Sequence, residues 1–185
     1  YKPDQQFPTG GGGGVSSFWP MPDYQQYVSG MQQTEPGQSL IDNTSSGPVT
    51  LITLPAGFAG RNMPDLSLNA DPETGYVVVD CTDFQADPGC AEGGWGGTSF
   101  VAPQLNGMTA LIDQASGGRV GLLNPVVYPL QQLTRYWWGP KPFNDITAGD
   151  NWFYQGIPGY DDGAGIGTLN VANLAHLYMV FSETR

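Results

Sequence analysis

Thr98 and Ser99 stand between the glycine-rich stretch Gly93-Gly94-Trp95-Gly96-Gly97 and the run Phe100-Val101-Ala102-Pro103. Val101, Leu105, Met108 and Ile112 then recur at steps of four, three and four, the period of an amphipathic helix. A serine at the start of such a helix faces amide N–H groups without helical partners and the positive end of the helix dipole. Those are the surroundings that stabilise both an alkoxide and an oxyanion. Thr98 or Ser99 is expected to cap the helix, with Pro103 near its first turn. The same residues also describe a plain glycine-rich loop with a Ser/Thr cap, so the rest of the chain has to decide.

A serine nucleophile needs a base, and histidine is the usual one. The sequence holds one histidine, His176, among Ala175, Leu177 and Tyr178 in what reads as a core face of the closing helix. A Ser-His-Asp enzyme contained in this chain is therefore not expected. A carboxylate base remains, and such bases work best at low pH, where carboxyl groups hold tuned protonation states. Asp plus Glu outnumber Lys plus Arg by 17 to 6, for a net charge of −11. That balance suits an acidic medium and argues against nucleic acid or an anionic membrane as partner.

The elements that must position these residues follow from pattern. Residues 1–17 read as coil around five consecutive glycines, Gly10 to Gly14, and a short helix is expected from about Asp23 to Met31. Val49 to Leu54 reads as a strand, and residues 66–79 as a hairpin. After the Ser99 helix come a second helix from about Asn124 to Leu133 and a largely aperiodic stretch, 139–168. A closing helix runs from about Asn170 to Phe181. Helices mixed with short apolar strands indicate an α/β fold. At 185 residues one domain is expected, yet the first sixty residues add little to a core, which points to a missing part. No stretch is long enough to span a membrane; the most apolar, Leu174 to Phe181, is far too short. The start at Tyr1 suggests a processed chain. Cys81 and Cys90 bracket a short loop and are expected to form a disulfide, hence an oxidising compartment. Trp137-Trp138 is expected to be buried against the sheet or a partner, and Trp95 borders the serine loop.

Six motifs in order resemble the sedolisins, the serine-carboxyl peptidases, over nearly the whole chain. Gly11-Gly12-Gly13-Gly14-Val15-Ser16 with Phe18, Pro22 and Tyr24-Gln25 is similar to G-G-G-x-S-x-x-F…P-x-Y-Q. Arg61 to Tyr76 resembles R-x-x-P-D-V-S-x-x-A-D-P-x-T-G-Y, and Gly96 to Pro103 resembles G-G-T-S-x-x-A-P. Leu123-Asn124-Pro125 with Tyr128 matches L-N-P-x-x-Y, and Phe143 to Asn151 matches F-x-D-I-T-x-G-x-N. Gly159-Tyr160-Asp161 with Gly165-Ile166-Gly167 resembles G-[WY]-D-x-x-T-G-L-G.

The resemblance implies a subtilisin-like fold, a parallel sheet flanked by helices, of which residues 1–185 would be the C-terminal portion of one catalytic domain. It implies that Ser99 is the nucleophile, its own N–H helping to hold the oxyanion. In the family a glutamate base, an orienting aspartate and a protonated oxyanion aspartate all precede the Gly-Gly-Gly-x-Ser motif. Here only Asp4 precedes it, and Asp4 matches none of them. An N-terminal partner chain is therefore expected to bring these carboxylates to a peptide substrate. The resemblance also implies one structural Ca²⁺, held by Asp145 and Asp161 and the carbonyls of Ile146, Ile157 and Gly159, with Ile157 where glycine is usual. Asp150 and Asp162 are expected to be solvated bystanders, and Asp65 and Asp71 to fix turns. The resulting expectation is a secreted or acidic-lumenal serine-carboxyl endopeptidase cut from a precursor. The alternatives are a tripeptidyl-peptidase of the same family and a non-catalytic, calcium-stabilised subunit.

Overall fold

The computed structural model of the chain describes residues 10–35, 38–55, 57–80 and 90–182. Strands β1 (Gly14–Pro20), β2 (Ser39–Thr44), β3 (Gly47–Thr53), β4 (Gly60–Met63), β5 (Tyr76–Val79) and β6 (Ala91–Trp95) precede helix α1 (Thr98–Ala115). Helix α2 (Asn124–Thr134), the short strands β7 (Phe143–Asn144) and β8 (Thr168–Leu169), and helix α3 (Val171–Ser182) complete the order. Among the described residues six strands thus come before the first helix, and two short strands separate α2 from α3. These strands pair as β1–β4, β2–β3, β5–β6 and β7–β8, each pair antiparallel. The subtilisin-like parallel sheet is not among these pairings. Parallel neighbours need crossovers of a dozen or more residues, whereas β2 and β3 are joined by a tight turn.

Two compact units emerge, one including Ser67–Val120 and the other Gly12–Leu66 with Gly121–Leu174. The second holds most of the core. Val127, Tyr128 and Leu130 of α2 are buried, as are Val28, Leu54, Phe143, Tyr160, Ile166 and Leu169. Pro125 opens α2 with its φ already helical, where a missing N–H removes no bond. Gln25 and Asn62, both fully buried in this unit, are paired with each other, and Gln25 also with Tyr128. The Gln25 carboxamide donates to the Asn62 carbonyl (2.9 Å) and to Tyr128 Oη (2.8 Å), while its oxygen accepts from Asn62 N (3.0 Å).

The first unit has a thinner core. Helix α1 fully buries one residue, Ile112, while Leu111, Val77 and Val79 are exposed.

Two expected elements take other forms. Residues 23–27 form consecutive turns instead of a helix, with Gln25 N donating to the Pro22 carbonyl and Val28 N to that of Gln25. Residues 66–70 form no strand, because Asn69 and Asp71 spend their side chains on local backbone amides, and β5 pairs with β6 instead. Cys81 lies outside the described residues, and with it the expected disulfide; Cys90 is buried.

Candidate functional site

The serine stretch lies in the first unit. Gly97 is the residue before α1, with φ 89° and ψ 162°, a conformation that favours glycine. Neither Thr98 nor Ser99 caps the helix, contrary to expectation. The helix starts at Thr98 itself, so the capping position falls to Gly97, which has no side chain to bond the free amides. Pro103 sits past the first turn, so no N–H reaches back to the Ser99 carbonyl four residues earlier. Ser99 is exposed, and no residue among those described bonds to its hydroxyl or its amide.

The loop that presents Ser99 is seated on the Ala70–Pro72 turn. Gly97 N donates to the Ala70 carbonyl at 2.6 Å. A Cβ on Gly96 would lie 2.6 Å from that same oxygen, and one on Gly75 would lie 2.3 Å from the Trp95 carbonyl, so only glycine permits these approaches. Asp71 holds the turn, accepting from Glu73 N (2.9 Å) and Thr74 Oγ1 (3.0 Å). Phe100, next to Ser99, stacks on Tyr76 with centroids 5.3 Å apart and meets Trp95 at 6.3 Å. Trp95 thus flanks the serine turn. His176 is exposed, not part of a core face; Leu174 and Leu177 take the buried positions on α3.

All five residues expected to hold a cation lie in the second unit, where backbone amides link Asp145 to Gly159 and Asp161 to Ile157. Asp145 Oδ2 accepts from Gly159 N (2.8 Å), and Asp161 Oδ2 accepts from Ile157 N (3.1 Å). Asp161 Oδ1 accepts from Gly163 N (2.9 Å) and Ala164 N (2.7 Å). A Cβ on Gly156 would lie 3.0 Å from the Ile146 carbonyl, so the 145–146 segment lies against the loop. Among the described residues no lysine or arginine pairs with either carboxylate. Nor does any group of three or more His, Cys, Asp or Glu side chains gather there. A cation here would rest on two carboxylates and on carbonyls, an all-oxygen donor set of the kind Ca²⁺ takes. The donors present fit that ion.

Asp162 departs from its expected place in solvent: it is 2% exposed, and among the described residues neither carboxylate oxygen finds a hydrogen-bond partner. Burial pushes its carboxyl up to about 6, the Asp161 charge adding to the rise and Tyr160 opposing it. The folded chain therefore holds this proton at pH values where the unfolded chain has released it. Stability from this group increases as pH falls through about 6. With EDTA present, Asp162→Asn should abolish that acid gain and raise neutral-pH stability by roughly 2 kcal/mol, measurable by thermal melts from pH 4 to 7. A neutral-pH melting point below that of the parent would refute this. Asp150 is exposed, as expected, and accepts from Trp152 N (3.0 Å).

Spacing alone did not single out the polar cluster behind this loop. Arg61 pairs with Asp65 at 2.5 Å, and Tyr128 Oη donates to Asp65 Oδ1 at 2.7 Å. Burial is the largest single influence on Arg61 and lowers its pKa. The charge and hydrogen bond of Asp65, with Tyr24 and Tyr128, together outweigh it, and the net shift is upward. The i,i+4 separation of Arg61 and Asp65 was the one readable hint. The aromatic pair Trp137-Trp138 is not buried in this chain: it lies past the end of α2, and Trp138 is fully exposed.

No protein-family model matches the chain. It is 36% identical to kumamolisin from Bacillus sp. strain MN-32 over 169 residues, 87% of this chain and 24% of that protein. It is 28% identical to aorsin from Aspergillus oryzae over an alignment covering 97% of this chain and 26% of that protein. The chain thus spans about a quarter of the length of the curated relatives it matches. Its fold resembles Pseudomonas sedolisin, a serine-carboxyl proteinase solved with two molecules of pseudo-iodotyrostatin. That likeness has a TM-score of 0.66 and 23% identity, over 92% of this chain and 37% of that one. Six ordered motifs, two relatives of one kind and a shared fold agree: the chain belongs to the sedolisin family, as a partial-length match to it.

Proposed function

We propose that the chain is the C-terminal, nucleophile-bearing part of a secreted, acid-acting serine-carboxyl endopeptidase, completed by an N-terminal chain of the same enzyme. The observation that carries this reading is the state of Ser99: exposed, in the first turn of a helix, on a glycine turn, with its hydroxyl and amide both unengaged among the described residues. In this reading Ser99 Oγ attacks the peptide carbonyl while a glutamate of the partner takes its proton. The carbonyl oxygen becomes an oxyanion that the Ser99 amide and a protonated partner aspartate hold. Collapse expels the amine, which receives the proton, and leaves an ester on Ser99 that water then hydrolyses.

The thin core of the first unit supports a partner. An eighteen-residue helix with one fully buried side chain has an apolar stripe left to cover. Asp145, Ile146, Ile157, Gly159 and Asp161 would hold one Ca²⁺. The bound ion would neutralise the paired carboxylates and fix a loop that has little regular structure.

Mass spectrometry of the native preparation should find a second chain. A peptide aldehyde or phosphonate at low pH should label Ser99 in that complex, and an unmodified Ser99 would sink the enzyme reading. EDTA should lower the melting point by several degrees and Ca²⁺ should restore it, since a ligand at 100 times its Kd adds about 2.7 kcal/mol. A melting point indifferent to both would remove the ion.

A further inference from the structure

The loop proposed to hold the ion is gripped from behind by residues that are not among its ligands. Tyr160 lies between the candidate ligands Gly159 and Asp161 and is 1% exposed. Its hydroxyl donates to the Pro64 carbonyl at 3.0 Å, across 96 residues of sequence. The next carbonyl, that of Asp65, accepts from Ile166 N at 2.9 Å. Gly165, with φ 67°, lies so close that a Cβ would sit 2.5 Å from the Asp65 oxygen and 2.6 Å from that of Pro64. Two successive carbonyls therefore fasten both ends of the 160–166 segment. They are fixed in turn, because Asp65 is tied to Arg61 and to Tyr128, which is fully buried and packs at 6.0 Å from the Tyr160 ring.

We infer that Pro64–Asp65 is a strut for the ion loop, with Tyr160 the positioning residue that couples them, so that cation affinity depends on a contact remote from every ligand. This rests on the calcium reading of Asp145 and Asp161. The physical argument is pre-organisation. On the calcium reading, Asp161 and the carbonyls of Ile157 and Gly159 would serve one ion only while the loop keeps its backbone path. A loop that spends part of its time in other paths binds in proportion to the fraction that is competent. Releasing the phenol removes one buried hydrogen bond from the competent form while leaving every donor oxygen in the chain.

The test is calorimetric titration of the full chain with Ca²⁺, together with melting points in EDTA and in Ca²⁺. Tyr160→Phe, which keeps the ring, should weaken binding by roughly 2- to 10-fold, the range that one net hydrogen bond allows. The melting increment that Ca²⁺ confers should shrink with it. A residue that merely supported the fold would lower both melting points equally and leave the Kd alone. Tyr128→Phe, which unties Asp65 from one side, should weaken binding in the same direction and serves if Tyr160→Phe does not fold. Wild-type binding with an unchanged Kd in both variants overturns the strut while sparing the ion site. Absence of Ca²⁺ binding by the wild-type chain overturns the ion site, and the strut with it.

Discussion

Ser99→Ala in the assembled enzyme is expected to lower kcat by about 10⁴- to 10⁶-fold, the loss seen when a serine hydrolase is deprived of its nucleophile. KM should hardly move, because the hydroxyl forms its bond to substrate only in the chemical step. The fold should not suffer: Ser99 is exposed, and its side chain neither caps α1 nor bonds to any described residue. Circular dichroism and co-purification of the partner chain should therefore match the wild type. Single-turnover kinetics with a chromogenic peptide at low pH checks the prediction. Retention of more than a hundredth of the rate would mean that the nucleophile lies elsewhere.

The second large effect concerns the ion loop. Asp161→Ala removes the acceptor of three amides, those of Ile157, Gly163 and Ala164, at a side chain that is 5% exposed. Each bond to a charged acceptor is worth about 1.5–3 kcal/mol, and the three share one group, so a total near 4 kcal/mol is expected. For a chain of this size that is about 10 °C in melting temperature, and EDTA should not abolish the difference. Asp145→Ala is the contrast: Asp145 is exposed and receives one loop amide, so about 1 kcal/mol is expected when the ion is absent. Equal losses for the two variants in EDTA would contradict this account.

Helical periodicity carried the sequence-based expectations furthest. The 3.6-residue recurrence predicted α1, the expected helices after Asn124 and Asn170 match α2 and α3 to within a few residues, and the run from Val49 predicted most of β3. The misses share a cause: side chains bonded to local backbone imitate or displace regular structure. Leu66, Leu68 and Ala70 alternate like a strand, but Asn69 and Asp71 turn the chain there. The partner that β5 does take, Ala91–Trp95, has two central glycines and little strand propensity of its own. Ser99 and the residues proposed as ligands were reached through ordered motifs, not through composition. Asp162 was misplaced because carboxylates are ordinarily solvated, and its burial depends on contacts distant in sequence. The Tyr160–Pro64 tie was invisible for the same reason.

Those long-range ties bear on how the chain acquires its structure. Gln25 meets Tyr128 across 103 residues, Ser29 meets Arg135 across 106, and Tyr160 meets Pro64 across 96. The unit they close is made of two separate chain segments, with Ser67–Val120 synthesised between them. Contacts of such sequence separation make folding slow, although lengthening the intervening loop adds only modest entropy. During synthesis Gln25 and Asn62 emerge long before Tyr128, and the loop that follows Tyr160 emerges later still. The stretch bearing Ser99 therefore leaves the ribosome while that core is still open, and the unit can close only once residues through Leu174 have been made.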